Sequence, residues 1–267
     1  MDLEGLFGLG GRIALVTGGS RGIGRMVVEG LLAAGCSRVY ICARKQEQLD
    51  AAAAELGERV VPLVADIGKI EGIDALAAEL SRREERLDIL VNNAGAAWGA
   101  PFDSFPEAGW DKVVTLNMKA PFFLTQKLHG LLRNAAASGR PAKVINIASI
   151  DGLRVNPWET YSYQASKAGL IHLTRRMAAR LIADNIVVNG IAPGAFPSDM
   201  NRAARDAPEV AAQAIPARRT GTAEDMAAGA VYLASRAGDY VVGTTLAIDG
   251  GMVDAQASAS FGNAGGG

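Results

Sequence analysis

The feature that most constrains the fold is a regular alternation of short apolar runs with longer amphipathic segments. The runs predicted to be strands are 13–17, 38–42, 60–64, 87–92, 143–148, 186–191 and 244–248. The segments predicted to be helices are 22–34, 45–56, 70–86, 107–137, 160–184 and 223–235. Runs such as 89–91 are apolar at every position, which is typical of strands covered on both faces. The alternation predicts right-handed crossovers and one doubly wound parallel α/β sheet of about seven strands, with helices on both faces.

Length and charge limit the classes of protein that fit. With 267 residues the chain is predicted to form one domain over 1–254. The less regular stretch 194–222 is predicted to be a lid over the site, and 255–267 a flexible tail. A balance of 27 Lys and Arg against 28 Asp and Glu gives a net charge of −1, which argues against a nucleic-acid partner.

Cysteine and histidine are scarce, and their positions exclude several kinds of site. Cys36, Cys42, His129 and His172 are not spaced as zinc ligands, so no metal is expected. Two cysteines do not make a disulfide framework, and the N-terminus lacks the pattern of a signal peptide. No apolar run is long enough to span a membrane, so we expect a cytoplasmic protein without a membrane partner.

A glycine-rich segment joins the first predicted strand to the first predicted helix. A tight turn there brings backbone N–H groups and the positive end of a helix to one point, which suits a pyrophosphate. The residues predicted to contact a dinucleotide in this turn are Gly18, Ser20, Arg21, Gly22, Ile23 and Gly24.

Two other kinds of site have glycine-rich turns of similar sequence. A P-loop would require Lys and Ser or Thr after Gly24, where Arg25 and Met26 stand. A serine hydrolase built on Ser20 fits the pattern G-x-S-x-G, but too little chain precedes it to supply an oxyanion hole. The dinucleotide interpretation is favoured.

The residue after the second predicted strand indicates which dinucleotide is bound. An NAD site usually has an acidic residue there to accept the ribose hydroxyls, whereas an arginine accommodates a 2′-phosphate. Arg44 occupies this region, and together with Arg21 it predicts a preference for NADPH.

A tyrosine and a lysine lie one turn apart on the predicted helix after the fifth strand. Tyr163 and Lys167 are at i and i+4 and so share a helix face, whereas the residue four positions after Tyr161 is Ala165. An ammonium group close to a phenol lowers its pKa, so Tyr163 is a candidate acid or base near neutral pH. Ser149 follows the fifth strand and is predicted to place a hydroxyl beside it.

Together these motifs resemble the short-chain dehydrogenase/reductase family over about residues 10–252, with a Rossmann-like fold. The matching residues are Thr17, Gly18, Gly22, Gly24, Asp66, Asn92 to Gly95, Asn117, Ser149, Tyr163, Lys167, Pro193, Gly194 and Ile248 to Gly251. Within the family the chain is most similar to 3-oxoacyl-(acyl carrier protein) reductases of the rhamnolipid-synthesis type.

The resemblance implies a role for each matched residue. Tyr163 would be the general acid in carbonyl reduction, and Lys167 would hold the nicotinamide ribose and lower the pKa of Tyr163. Ser149 would orient the carbonyl, and Asn117 would hold a water linked to Lys167. Further implied NADP(H) contacts are Asp66, Ile67, Asn93, Ala94, Gly95, Pro193 and Gly194, with Ser198 in place of the threonine that many members have.

Residues predicted to line the substrate pocket are mostly apolar, which favours a hydrophobic ketone. They include Trp98, Ile150, Leu153, Trp158 and Phe196, although the tryptophans equally fit a subunit interface. The resemblance also implies a homotetramer and leaves an acyl carrier protein partner open. Two alternatives stay open: an alcohol dehydrogenase working in the oxidative direction on a small or cyclic secondary alcohol, and a non-catalytic nucleotide sensor.

Overall fold

A seven-stranded parallel sheet in the order β3-β2-β1-β4-β5-β6-β7 forms the centre of the molecule, as the alternation of patterns predicts. The computed structural model describes residues 1–255, so nearly all of the predicted tail lies outside the described residues. The strands are β1 (Ile13–Thr17), β2 (Arg38–Ala43), β3 (Val60–Val64), β4 (Ile89–Asn92), β5 (Ala142–Ile147), β6 (Ile186–Pro193) and β7 (Thr245–Ile248).

Helices connect the strands and cover both faces of the sheet. They are α1 (Leu3–Phe7), α2 (Gly22–Ala33), α3 (Gln46–Leu56), α4 (Ile70–Arg83), α5 (Glu107–Val114), α6 (Ala120–Lys127), α7 (His129–Ala136), α8 (Tyr161–Leu181), α9 (Arg202–Asp206), α10 (Pro208–Gln213) and α11 (Ala223–Ala234). The less regular stretch 194–222 thus carries two short helices, α9 and α10.

The largest difference from the sequence prediction is in 107–137, which was expected to be one helix. The chain instead forms α5, a π-helical segment at Thr115–Lys119, α6 and α7. Pro121 lies in the first turn of α6, where its missing N–H removes a bond that a continuous helix would need. Hydrophobic periodicity continues across this interruption, which is why the pattern alone predicts a single helix.

Strand residues alternate between two apolar cores, one on each face of the sheet. Leu15 and Leu90 belong to one buried cluster, whereas Val16 and Val91 belong to the other. Because both faces are covered, inner strands are apolar at successive positions.

The order of the strands also determines where a ligand can bind. From β1 the chain proceeds outward through β2 to β3 on one side of the sheet. It then returns to β4, which lies on the other side of β1, and proceeds outward to β7. This reversal leaves a crevice at the carboxyl ends of the strands, which is where open α/β sheets bind their ligands.

The described residues lack two features, a membrane-spanning helix and a cluster of metal ligands. Across residues 1–255, no helix combines the length and apolar character needed to cross a membrane. The same part of the chain has no group of three or more His, Cys, Asp or Glu side chains arranged to hold a metal ion.

Candidate active site

The glycine turn follows β1 and has the backbone geometry that a phosphate cradle requires. Gly18 and Gly22 have φ angles of +67° and +53°, a region that glycine enters without a steric penalty. A Cβ on Gly24 would lie 2.3 Å from the Gly18 carbonyl oxygen, so only glycine allows α2 to begin this close to the strand. Ser20 is buried in the turn, and Ile23 is half-buried. The turn therefore presents backbone N–H groups at a helix N-terminus, which fits a pyrophosphate.

A threonine hydroxyl ties this turn to the neighbouring loop. Thr17 Oγ1 accepts hydrogen bonds from the backbone N–H groups of Asn93 and Ala94, both at 2.9 Å. The Asn93 side chain donates in return to the Thr17 carbonyl at 2.8 Å. The sequence motif that contains Thr17 does not predict this bridge, because the bridge depends on β1 and β4 being neighbours.

The two arginines predicted to select NADPH have different surroundings. Arg44 follows β2, and its side chain is exposed. Arg21 is also exposed and forms an ion pair with Asp199 of the 194–222 stretch. Sequence reasoning missed Asp199, since nothing in the pattern indicates that the stretch would reach Arg21.

The loops after β3, β4 and β6 bring most of the other predicted contacts to the same edge. The Asp66 carboxylate accepts a hydrogen bond from Gly68 N–H at 3.2 Å, and Ile67 is buried behind it. A Cβ on Gly95 would lie 3.8 Å from Lys167 Nζ, so this loop passes directly over the lysine. Pro193 ends β6 and is followed by Gly194.

Ser198 lies on the other side of the glycine turn. A Cβ on Gly22 would be 3.4 Å from the Ser198 Cβ, so the two residues are adjacent. The Ser198 hydroxyl accepts a hydrogen bond from Asn201 N–H at 3.0 Å. Ser198, in the 194–222 stretch, thus lies against the turn, and the role of this stretch as a lid stays a prediction.

Tyr163 and Lys167 project from the first two turns of α8 toward the end of β5. The Lys167 ammonium lies 5.7 Å from the centre of the Tyr163 ring and donates a hydrogen bond to the Ile147 carbonyl at 2.7 Å. Burial lowers the pKa of Lys167 to about 8, although the nearby Asp151 carboxylate acts in the opposite direction.

The pKa of Tyr163 differs from the sequence expectation. Burial raises the pKa of the Tyr163 phenol to about 12, a hydrogen bond from Ser149 acts to lower it, and the charge of Asp151 acts to raise it. The expected lowering by Lys167 is therefore wrong for the protein alone, because loss of solvent around the phenol is the larger effect. Asp151, two residues after Ser149, is a charged neighbour that sequence reasoning overlooked.

Ser149 and Asn117 are buried close to this pair. Ser149 Oγ accepts a hydrogen bond from Asp151 N–H at 3.1 Å, which fixes the short turn after β5. The Asn117 amide donates to the Ala96 carbonyl at 2.9 Å and to Ser166 Oγ at 3.0 Å, and its oxygen accepts from Ala96 N–H at 2.8 Å. The Asn117 side chain thus holds the loop after β4 against α8.

The predicted substrate residues divide into exposed and buried groups. Trp158 is 70 % exposed, while Leu153 and Trp98 are 39 % and 37 % exposed. Phe196, however, is only 2 % exposed, and a Cβ on Gly221 would meet its ring at 2.4 Å. Ile150 is also buried, at 5 %. The Phe196 ring packs within one of the apolar cores, so its contact with substrate stays a prediction.

Known proteins resemble the chain over nearly its whole length. Residues 18–253 match the family model described as Enoyl-(Acyl carrier protein) reductase. A rhamnolipid biosynthesis 3-oxoacyl-(acyl carrier protein) reductase from Pseudomonas aeruginosa is 46 % identical over 253 residues, which cover 92 % of this chain and 98 % of that protein.

Solved structures agree with these sequence relatives. The Pseudomonas aeruginosa RhlG/NADP active-site complex superposes with a TM-score of 0.89 at 46 % identity, covering 94 % of this chain and 99 % of that one. A gluconate 5-dehydrogenase from Burkholderia cenocepacia in complex with NADP and tartrate gives a TM-score of 0.87 at 33 % identity, covering 96 % and 100 %. Ser149 after β5 and Tyr163 and Lys167 on α8 lie at the same edge of the sheet as the glycine turn. The chain belongs to the short-chain dehydrogenase/reductase family of oxidoreductases.

Proposed function

We propose that the protein is an NADPH-dependent reductase that converts a hydrophobic ketone, of the 3-oxoacyl type, to a secondary alcohol. The observation that carries the proposal is the placement of Ser149, Tyr163 and Lys167 at the same sheet edge as the glycine turn. Both solved relatives described above are NADP complexes, which supports the same cofactor here. Bound NADPH would supply the hydride, and its oxidised ring a positive charge.

The chain's own residues would perform the rest of the reduction. The Ser149 hydroxyl, buried at the end of β5, is placed to hydrogen-bond the substrate oxygen and orient the carbonyl. The Tyr163 phenol would donate its proton to that oxygen as negative charge develops on it. Lys167, held by the Ile147 carbonyl, would contact the cofactor ribose and help to replace the proton.

The state of Tyr163 fits a general acid. With a pKa of about 12 the phenol is protonated at neutral pH, as proton donation requires. A gluconate 5-dehydrogenase among the solved relatives makes an alcohol dehydrogenase acting in the oxidative direction the second candidate.

Arginine positions support NADPH rather than NADH. Arg21 and Arg44 follow β1 and β2, the two strands at whose ends the adenosine half of a dinucleotide binds. A 2′-phosphate would accept charge-assisted hydrogen bonds from both guanidinium groups. Asp199 would then have to share Arg21 with the phosphate.

The identity of the substrate is tested with a panel of ketones. Purified enzyme with NADPH is mixed with 3-oxoacyl thioesters on coenzyme A or on acyl carrier protein, with cyclic diketones and with keto-sugar acids, and loss of NADPH absorbance is followed. We expect the 3-oxoacyl thioesters to give the highest kcat/KM, because the exposed side chains near the site are apolar. A preference for keto-sugar acids, or no turnover with any ketone, would contradict the proposal.

The assembly and the location in the cell complete the proposal. We infer a homotetramer, as the family resemblance implies, in which the segments 107–137 and 160–184 pair with their copies in a partner subunit. Trp110 on α5 and Phe122 on α6 leave apolar surface exposed on the first of these segments. A cytoplasmic location is supported by Cys36 and Cys42, both buried as free thiols, whose pKa values burial raises to about 12.

A further inference from the structure

A negatively charged side chain lies in the short turn that follows Ser149. Asp151 is two residues after Ser149 and is half-buried. The Asp151 N–H donates a hydrogen bond to Ser149 Oγ at 3.1 Å, and the Gly152 N–H donates to the Ser149 carbonyl at 3.0 Å. The backbone of this turn therefore holds Asp151 beside the hydroxyl that is expected to orient the substrate carbonyl.

The same turn packs against the part of α8 that carries Tyr163 and Lys167. A Cβ on Gly152 would lie only 2.6 Å from the Lys167 backbone carbonyl carbon, so the turn and the helix are in direct contact. Although burial is the main cause of the pKa shift of each group, the charge of Asp151 acts to raise the pKa of both Tyr163 and Lys167. Asp151 is thus close to the groups that a bound carbonyl would meet.

The cation beside Tyr163 is committed to other partners. The Lys167 ammonium donates to the Ile147 carbonyl at 2.7 Å, and the residue is only 4 % exposed. In the proposed reaction Lys167 also contacts the cofactor ribose. Lys167 is therefore poorly placed to pair with an anion on the substrate, whereas the half-buried Asp151 keeps contact with solvent at this edge of the site.

Free 3-oxo acids and their derivatives differ in the charge next to the ketone. In a free 3-oxo acid a single carbon separates the carboxylate from the ketone, so the negative charge enters the site together with the carbonyl. In a thioester, an ester or an amide the same position is uncharged. Two carboxylates brought together in a partly desolvated site repel each other more strongly than in bulk water, because the effective dielectric constant is lower.

We propose that Asp151 is a specificity-determining residue that excludes ketones with an adjacent carboxylate and so selects neutral 3-oxoacyl derivatives such as thioesters. The inference rests on the proposed ketone reduction, which it deepens. A charge that the wrong substrate cannot neutralise is one of the ways in which binding sites achieve specificity. The effect should fade for acids whose carboxylate lies several carbons from the ketone, because the repulsion falls with distance.

The test compares 3-oxohexanoate with 3-oxohexanamide, which are nearly identical in shape and differ in charge. With saturating NADPH, kcat/KM is measured for each compound, and the amide-to-acid ratio is compared among variants of the full chain. Asp151→Asn keeps the backbone N–H that bonds Ser149 and removes the charge, so the ratio should fall about tenfold. Asp151→Glu restores the charge and should keep the ratio high. Asp103→Asn is the control, because the exposed Asp103 carboxylate acts on Tyr161 rather than on Tyr163.

The ratio separates charge from structure, because damage to the turn would slow the reduction of both compounds alike. If Asp151→Asn folds poorly, Asp151→Ser supplies a second neutral side chain that suits a turn. If turnover of either compound is too slow to measure, its inhibition of the best panel ketone gives the ratio of affinities. A wild type that prefers the acid, or an equal ratio in wild type and the neutral variant, overturns the inference and leaves the proposed reduction standing. Absence of turnover with every ketone would refute the proposed reduction and this inference with it.

Discussion

At the scale of single residues, the active site is built from ionisable groups that the fold places out of water. Burial is the largest cause that moves the pKa of Tyr163 up and that of Lys167 down, so it shifts each group toward its neutral form. The sequence identifies this pair from its spacing on a helix. It does not give the sign of the Tyr163 shift, because that depends on how completely the surrounding loops exclude solvent.

The lowered pKa of Lys167 makes a prediction about stability and pH. Between about pH 8 and about 10.5 the unfolded chain binds a proton at Lys167 that the folded chain has lost, so wild-type stability gains with rising pH. Lys167→Met lacks this gain. Relative to the variant, the wild-type free energy of unfolding should rise by about 1.4 kcal/mol per pH unit in this window, measured by chemical denaturation. A constant difference across the window would show that Lys167 titrates normally.

The role of Arg44 is tested through the choice of cofactor. Arg44→Ala removes charge-assisted bonds to a 2′-phosphate, each about 1.5–3 kcal/mol, so kcat/KM with NADPH should fall about tenfold to a hundredfold. Steady-state rates with NADH should change little, because NADH has no such phosphate. Lys45→Ala, which removes the neighbouring exposed cation, serves as the control. Equal losses with both cofactors would refute this role.

At the scale of secondary-structure elements, the site depends on how strand ends are tied together. Strand positions follow from apolar runs and turn residues, and all seven predicted strands are found within about two residues of their predicted ends. The side-chain hydrogen bonds between strand ends cannot be predicted from the sequence pattern, because they join residues far apart in sequence. Thr17 with Asn93 and Ala94 is one example, and Asn92 with Asn146, at 2.9 Å, is another.

The Thr17 hydroxyl gives a prediction at this scale. Thr17→Val keeps the shape of the side chain but leaves the N–H groups of Asn93 and Ala94 without their acceptor. We expect a loss of about 2 kcal/mol in the free energy of unfolding and weaker NADPH binding, measured by denaturation and by nucleotide fluorescence. Thr17→Ser restores the oxygen and should recover most of both. If Thr17→Val matches wild type in both the free energy of unfolding and NADPH binding, the bridge is unimportant.

At the scale of the whole molecule, the strand order determines which loops meet. The alternation of strands and helices predicts a parallel sheet. The functional motifs directly follow predicted strands, so the sequence also predicts that they lie at the carboxyl edge of that sheet. The sequence does not predict which apolar side chains near the site are buried and which are exposed. Phe196 is as apolar as Trp158, yet one lies in a core and the other at the surface, because only packing decides between these environments.

Assembly is also tested at this scale. A homotetramer should scatter light with about four times the mass of the 27.7 kDa chain at micromolar concentration. Trp110→Lys and Phe122→Lys would place charge on the segment expected to pair and should lower that mass. A wild-type monomer under these conditions would contradict the inference.

Proton donation by Tyr163 is the central claim, and one comparison tests it most directly. Tyr163→Phe and the control Tyr161→Phe are each saturated with NADPH, mixed with the best ketone from the panel, and followed through a single turnover. In Tyr163→Phe we expect unchanged NADPH affinity and NADPH oxidation about a hundredfold or more slower, with the Tyr161→Phe control near wild type. Wild-type turnover by Tyr163→Phe would contradict it.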